Sequence, residues 1–441
     1  MADTGRSAQV VGWFGRTLDR HIADSPDGVR RALLAGFALK RWQTRHLPSK
    51  GLLPSGQMAA RLSLEHIVGA LEHPDEMVVT SIFLPTEPFL AMGLRPVTAE
   101  ALSQFVSGAW AEDGFARAAE DAGVPDTFCS YHRVLLGTAE SGVMSAPPMV
   151  ASCSVACDAN NLTFSALQRI WGCSRSYVDV PYEPTPEACR YVAGQLRSCA
   201  KQAEETFGRA LDEDLLREMC ARSRETLEVA RHSLAGRARR WLDNDMTTEL
   251  YFALAEHLML GTPEAHELYR TLDEEQASMR AFGGTSLLWV HMPPYHLVPF
   301  QQMLNESDDV QIACCDMGYD LVPFDGGWWF GDGDPWLSMA ERLVRCSFNG
   351  PATRRVAQAR ELARLTGADA AVVFCHWGCK QTMGAAQLMR EALEADGLPV
   401  LVIDGDGCMR SGCSAGQMST RLTAFLEMVR TRSGREMGGI G

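Results

Sequence analysis

Short apolar runs alternate with helix-favouring segments in two separate parts of the chain, and this alternation limits the possible folds more than any other feature. Strands that alternate with helices are typical of mostly parallel sheets covered by helices on both faces. The pattern therefore predicts an α/β protein with two flavodoxin-like or Rossmann-like lobes. The runs of the first part are residues 77–84, 142–155 and 177–180, and those of the second are 286–291, 310–314, 370–374 and 400–403.

Two helical patterns in the second part agree with this prediction. Apolar residues recur at intervals of three and four over residues 385–393, and Gly397 follows as the expected end of that helix. The same spacing returns over residues 418–429. Because ligands of open parallel sheets bind beyond the carboxyl ends of the strands, chemistry is expected in the loops that follow the apolar runs.

Composition divides the chain of 441 residues into five predicted segments. A chain of this length exceeds the size at which one core usually stops growing, so more than one packed unit is expected. Charged stretches rich in Ala and Leu favour helices. The segments are a helical N-terminal segment (1–75), a first α/β lobe (76–200), a helical connector (201–282), a second α/β lobe (283–432) and a flexible glycine-rich tail (433–441).

Charge and hydropathy argue against several classes of partner. With 41 basic and 55 acidic residues, the net charge of −14 repels nucleic acid and anionic lipid. No stretch reaches the roughly 20 apolar residues of a membrane span, and the first residues do not resemble a secretory signal. We therefore expect a cytoplasmic protein without nucleic-acid or membrane partners. The P-loop pattern that binds nucleotide phosphates is also missing, so any ATP hydrolysis is expected in a separate protein.

The chain contains fourteen cysteines, which is many for a protein expected in the cytoplasm. Cytosolic thiols stay reduced, so this number favours metal or redox chemistry over disulfide bonds. Cys153 and Cys157 lie at the end of one predicted strand region, and Cys375 and Cys379 directly follow another. Cys129 precedes the first pair. Loops of both lobes could therefore bring three or more thiols to one cleft.

Thiolate ligands suit an iron-sulfur cluster or a zinc ion. Structural zinc usually needs two close ligand pairs, so the two Cys-x3-Cys pairs would fit zinc only if the lobes met tightly. Cys408 and Cys413 follow the last predicted strand and are either additional ligands or exposed thiols. The other cysteines lie in ordinary helical or strand contexts and are expected to be packing residues; they are Cys173, Cys189, Cys199, Cys220, Cys314, Cys315 and Cys346.

Six segments, in order along the chain, resemble the 2-hydroxyacyl-CoA dehydratase and benzoyl-CoA reductase family, especially members like the 2-hydroxyglutaryl-CoA dehydratase D-component. The first 80 residues and the charged middle of the chain are not well covered by this resemblance. The segments are residues 83–88 with 91–96 (Phe-Leu-Pro-Thr-Glu-Pro and Ala-Met-Gly-Leu-Arg-Pro), 128–131 (Phe-Cys-Ser-Tyr), 157–158 (Cys-Asp), 289–295 (Trp-Val-His-Met-Pro-Pro-Tyr), 376–380 (His-Trp-Gly-Cys-Lys), and the closing strand, loop and helix at 404–406, 416–417 and 420–427.

The resemblance implies a 4Fe-4S cluster bound by Cys129, Cys157 and Cys379, with the fourth iron open to substrate or water. Cys153 and Cys375 are near enough in sequence to be the ligands instead of their partners. The resemblance also implies elimination of water from a 2-hydroxyacyl-CoA thioester. In enzymes of this kind a separate ATP-dependent activator protein supplies one electron, and the resulting ketyl radical expels hydroxide. A related second subunit or a homodimer is implied as well.

Glu87 matches a glutamate that lies near the cluster in the family, so the resemblance implies a catalytic role for it. It would move a proton or position the thioester if it is buried with a raised pKa. The alternative is a solvated carboxylate on a loop. His376 and Lys380 flank Cys379 and could tune the cluster or meet the anionic CoA, but they are not counted among the catalytic residues.

Three alternatives remain open at the level of sequence. One subunit of such an enzyme can hold its cluster only as an electron relay. A cofactor-free α/β protein with incidental cysteines is a second possibility. The surplus of cysteines also fits a double-cubane-type reductase of similar fold, whose 8Fe-9S cluster would have six ligands: Cys129, Cys153 or Cys157, Cys375, Cys379, Cys408 and Cys413.

Overall fold

The computed structural model describes residues 4–49, 51–242, 246–324, 327–331 and 333–434. Within these ranges, eight strands form two four-stranded sheets in which every pairing is parallel. The strands are β1 (Met77–Thr80), β2 (Arg95–Thr98), β3 (Met149–Cys153), β4 (Ser174–Val178), β5 (Thr285–Val290), β6 (Val310–Cys315), β7 (Ala370–His376) and β8 (Val400–Gly405). The strand orders are β2-β1-β3-β4 and β6-β5-β7-β8. The predicted α/β fold with two parallel-sheet lobes is therefore confirmed.

We call the part built on β1–β4 the first lobe and the part built on β5–β8 the second lobe. Three helices precede the first sheet: α1 (Thr4–Asp19), α2 (Pro26–His46) and α3 (Pro54–Glu72). Those between β1 and β5 are α4 (Glu87–Ala91), α5 (Ala99–Gly108), α6 (Glu112–Asp121), α7 (Ser130–Glu140), α8 (Asp158–Trp171), α9 (Pro186–Phe207), α10 (Glu213–His232), α11 (Met246–Met259) and α12 (Pro263–Ser278). Those after β5 are α13 (Val298–Leu304), α14 (Pro335–Arg345), α15 (Thr353–Thr366), α16 (Lys380–Ala395) and α17 (Ala415–Ser433).

The central strands are apolar along their whole length because helices cover both faces of each sheet. All seven residues of β7 and all six of β5 are buried. One continuous hydrophobic core contains β-strand residues of both lobes, for example Val78 and Val372. The lobes therefore share a core, which fixes the loops of one lobe against the loops of the other.

Seven of the eight strands overlap an apolar run of the sequence. The missed strand and one strand that begins later than its run both have clear causes. β2 was missed because it is a four-residue edge strand that contains Pro96, which can donate no ladder hydrogen bond. The run 142–155 forms a strand only from Met149 because Pro147 and Pro148 precede it. Helices α16 and α17 contain the two predicted helical patterns, and Gly397 has a φ of +87° just after α16.

No helix in the described ranges combines the length and apolar character needed to cross a membrane. The predicted flexible tail falls mostly on residues 435–441, which lie outside the described residues.

Candidate functional site

A cavity of about 340 Å³ lies where the loops of the two lobes meet. Its lining follows the carboxyl ends of several strands: Phe83 comes after β1, Ala156 after β3, Met292 after β5 and Met317 after β6. This is the position at which open parallel sheets bind their ligands. Its volume lies within the range of pockets that hold small organic ligands.

Cys129, Cys157 and Cys379 all line this cavity. Each is the residue at which a helix begins, since Cys129 caps α7, Cys157 caps α8 and Cys379 caps α16. A helix N-terminus presents unpaired N–H groups and the positive end of the helix dipole, which stabilise a thiolate or an anionic cofactor. The two lobes thus aim three helix N-termini and three thiols at one space.

Two contacts hold the cysteine loops of the two lobes together. Gly378 has a φ of +80°, and a Cβ at that position would lie 2.6 Å from the backbone nitrogen of Cys129. Only glycine permits this approach without displacement. Beside it, the Ser130 hydroxyl donates to Oδ1 of Asp406 at 2.7 Å, and the same oxygen accepts the amide of Cys408 at 2.8 Å. The spacing between Cys129 and Cys379 is therefore set by close backbone packing.

The three thiols do not have the spacing of a single zinc ion. Tetrahedral zinc with Zn–S bonds of about 2.3 Å holds its sulfur ligands about 3.8 Å apart. Among the described residues, these cysteines do not form a set whose sulfur atoms all lie within 4.8 Å of one another. Soft donors that lie further apart than zinc ligands suit a group larger than one ion, such as an iron-sulfur cluster.

The thiols of Cys129 and Cys157 are protonated in the ligand-free protein. Burial, and then the neighbouring Cys379, raise the pKa of Cys157 to about 12. Burial and the two neighbouring thiols raise the pKa of Cys129 well above its usual value. Metal ligation requires the thiolate form, so binding of a cationic metal centre would release protons.

Four other cysteines that the sequence left open as ligands do not line the cavity. Cys153 is buried and contacts the hydroxyl of Ser81, and Cys375 is buried in β7. Cys408 is fully buried, so it is not an exposed thiol, and Cys413 interacts with the backbone of Asp406. The cavity thus contains one member of each Cys-x3-Cys pair together with Cys129.

Buried histidines surround the thiols. The His376 Nε2 lies 3.4 Å from Sγ of Cys129, and its Nδ1 accepts the amide of Gly407 at 2.9 Å. Burial lowers the pKa of His376, so the ring is neutral and its proton lies on Nε2, facing the sulfur. His132 approaches Cys157 at 3.9 Å, and burial lowers its pKa to about 3. His291 stacks on His376 with ring centroids 5.4 Å apart.

Glu100 is a cavity residue that the sequence analysis missed. It lies in the first turn of α5, and its side chain is 19% exposed. Burial raises the pKa of its carboxyl to about 7, and its remaining interactions offset only part of that effect. A carboxyl that titrates near neutral pH can accept or donate a proton during catalysis. Its surroundings include Leu254 of α11, which is remote in sequence, so no local pattern marks it.

Glu87, the predicted catalytic residue, lies outside the cysteine cavity. It is buried, which contradicts the alternative of a solvated loop carboxylate. Its carboxylate forms an ion pair with Arg342 of α14 and accepts the Ser223 hydroxyl of α10 at 2.7 Å. Among the described residues it is not part of the lining of the large cavity. The catalytic role implied by the resemblance stays a prediction.

One protein-family model matches most of the chain. The model of a family described as 2-hydroxyglutaryl-CoA dehydratase, D-component, matches residues 81–429. The matched region begins just after β1, ends within α17 and includes all three cavity cysteines. A search of curated proteins found no match.

Proposed function

The chain belongs to the 2-hydroxyglutaryl-CoA dehydratase D-component family, and from that premise we propose that it is the iron-sulfur subunit of a 2-hydroxyacyl-CoA dehydratase. The observation that carries this proposal is the convergence of Cys129, Cys157 and Cys379, each at a helix N-terminus, on one cavity. Three cysteine ligands would leave one iron of a 4Fe-4S cluster free.

The cluster, when bound, would supply the one-electron chemistry that elimination from an unactivated position requires. The protein would hold it through the three thiolates and compensate their charge with three helix dipoles. The Nε2–H of His376 would donate to the sulfur of Cys129, and hydrogen bonds to cluster sulfur atoms raise or lower the reduction potential. Neutral histidines add donors without adding charge.

The rest of the cavity suits an acyl thioester. Apolar side chains such as Phe83, Leu254 and Phe348 form much of its wall and would exclude water from the acyl group. Glu100, with a pKa of about 7, is a cavity carboxyl suited to move a proton. The exposed Lys380 also borders the cavity and would meet the anionic CoA.

Two features favour this function over the alternatives. A relay cluster needs no more space than its own, whereas the cavity in which the cluster would sit is also lined by apolar side chains such as Leu254 and Phe348, which cannot ligate a metal. A double-cubane cluster would need further thiolates, but Cys153, Cys375, Cys408 and Cys413 are not in the cavity lining. We further propose a cytoplasmic enzyme with a related second subunit or a second copy as partner, and a separate ATP-dependent activator.

The first test is iron and acid-labile sulfide per chain in anaerobically purified protein, with EPR after reduction. About four irons per chain are expected for a single cubane. Cys129→Ala should lose them, whereas Cys173→Ala, at a half-buried cysteine that is not in the cavity lining, should keep them. About eight irons would support the double-cubane alternative, and zinc or no metal would refute the proposed cofactor.

The second test is activity with the partner subunit, the activator, ATP and a panel of 2-hydroxyacyl-CoA thioesters. Loss of water from the thioester, measured by mass spectrometry, is the expected result. A clustered protein that transfers electrons but eliminates no water from any of them would favour the relay function instead.

A further inference from the structure

Glu256 and His257 of α11 and Asp320 form a second polar cluster, separate from the cysteines. One nitrogen of His257 and one carboxylate oxygen from each acid all lie within 4.8 Å of one another. None of the three residues is more than 3% exposed. Such a cluster is unusual, because buried carboxylates normally have a cationic or hydrogen-bonding partner for each oxygen.

The partners of this cluster are incomplete. Neither carboxylate oxygen of Glu256 has a well-formed hydrogen bond, although the Leu321 backbone faces this carboxyl, and Nδ1 of His257 has no partner. The guanidinium of Arg342, which is close enough to influence Glu256, is already paired with Glu87. An unpaired buried carboxylate costs several kcal/mol, so an ion or proton that compensates it is expected.

A small cavity of about 10 Å³ adjoins two members of the cluster and the Glu87–Arg342 ion pair, while Asp320 lies outside its lining. Glu256 and His257 both line it, and its volume is about that of one ion or one water molecule. It shares Ile82 and Phe83 with the wall of the large cavity. One layer of side chains therefore separates this cluster from the cysteine cavity.

We propose that Glu256, His257 and Asp320 bind one divalent transition-metal ion, distinct from the iron-sulfur cluster. Without the ion, the Nε2 of His257 donates to Oδ1 of Asp320 at 3.1 Å and faces the carbonyl oxygen of Met317 at 3.3 Å. A separation of 3.1 Å is also that of two metal ligands about 90° apart at bonds of about 2.1 Å, so an ion would replace the shared proton. An imidazole with two carboxylates suits Mn²⁺, Fe²⁺ or Zn²⁺. A divalent ion would also neutralise the two carboxylates.

The ion would tie α11 to the segment after β6. Glu256 and His257 are on α11, whose residues Leu250, Ala253 and Leu254 also line the cysteine cavity. Asp320 follows β6, close to Met317 of the same cavity wall. The proposed metal therefore has a structural role in forming that wall.

The test uses the full wild-type chain under reducing conditions with Mn²⁺ as the probe, because Mn²⁺ prefers oxygen and nitrogen donors to thiolates. Bound Mn²⁺ is measured by EPR after equilibrium dialysis. One ion per chain is expected, with at least tenfold weaker binding in Glu256→Gln and Asp320→Asn. Glu427→Gln, which removes an exposed carboxylate on α17, should bind Mn²⁺ as the wild type does.

Pulsed EPR of Mn²⁺ bound to the wild-type chain is a second readout that needs no variant to fold. Coupling to one imidazole nitrogen is expected. Absence of that coupling, no retained Mn²⁺, or equal retention by the Glu256 and Asp320 variants would overturn the proposal and leave a His257–Asp320 ion pair balanced by protons. Because the readout is Mn²⁺ binding, the result is independent of whether an iron-sulfur cluster or dehydratase activity is found.

Discussion

The two lobes place cysteines in the same way at equivalent strands. β3 and β7 occupy the third position of their sheets, and each carries a cysteine at its carboxyl end, Cys153 and Cys375. Four residues later comes the cysteine that caps the next helix, Cys157 or Cys379. The first cysteine of each pair is buried in the core, and the second lines the cavity. In both Cys-x3-Cys pairs, the first cysteine is therefore a packing residue and the second belongs to the candidate site.

The lobes differ in what they add to this shared pattern. The first lobe adds a third thiol, Cys129, and the titratable carboxyl of Glu100. The second lobe adds His291 and His376, whose pKa values burial lowers, and Gly378, which allows the close contact with Cys129. Under the proposed function, the first lobe would supply two of the three cluster ligands and the proton-transfer group, and the second would tune and close the site.

Replacing each cysteine of the two Cys-x3-Cys pairs by serine is the strongest test of whether β3 and β7 play equivalent roles. Cys157→Ser and Cys379→Ser are each expected to lose nearly all iron, because a cluster with two remaining cysteine ligands is not retained. Cys153→Ser and Cys375→Ser are the matched controls and should keep about four irons per chain. Iron analysis of all four variants, purified in parallel, provides the comparison. Loss of iron in either control would break the proposed equivalence of β3 and β7.

Variants of Glu87 test whether this residue belongs to the candidate site or only stabilises the fold. Glu87→Gln leaves Arg342 as an uncompensated buried charge, so it should lower the free energy of unfolding by about 3–5 kcal/mol. Urea unfolding measures this loss. Glu87→Gln combined with Arg342→Met removes both charges and should recover much of it. If Glu87→Gln instead abolishes turnover while unfolding is unchanged, the catalytic role implied by the family resemblance holds.

The contact between the lobes depends on Gly378. Gly378→Ala adds a Cβ that collides with the backbone of Cys129 at a left-handed φ, so it should cost about 2–3 kcal/mol of stability. Iron content should fall as well, because the collision separates Cys129 from Cys379. Gly384→Ala in α16 is the control, since its Cβ meets open space and alanine favours helix. Equal stability of the two variants would show that the lobes do not rely on this contact.

Much of the fold follows from local sequence because buried parallel strands need continuous apolar runs, as residues 370–374 illustrate. The convergence of cysteines was predictable because strand ends meet at one edge of each sheet. Glu100 and Glu87 were not predictable in the same way. The environment of Glu100 depends on α11, and that of Glu87 depends on Ser223 and Arg342. Contacts between residues far apart in sequence decide whether a carboxylate is solvated, paired or titratable, and no local pattern encodes them.

The smallest predicted effect on stability is that of replacing Glu100, the titratable carboxyl of the first lobe. Burial raises the pKa of Glu100 from 4.5 to about 7 in the folded protein, so the folded state is penalised as pH rises from about 4.5 through 7 and the side chain loses its proton. Glu100→Gln carries no such charge. The shift corresponds to at most about 3 kcal/mol, and the side chain is 19% exposed, so part of the charge is solvated. Glu100→Gln should therefore gain about 1–2 kcal/mol of stability relative to wild type at pH 8 and almost none at pH 4.

Thermal unfolding of metal-free wild type and Glu100→Gln across this pH range measures the difference. Asn160→Ala is a useful companion in the same wall, because the Asn160 side chain does not titrate. Its stability difference from wild type should therefore not change with pH. A stability gap for Glu100→Gln that is likewise independent of pH would mean that the pKa of its carboxyl is not raised in the folded state. The first lobe would then lack the carboxyl with a pKa near neutral pH that distinguishes it from the second.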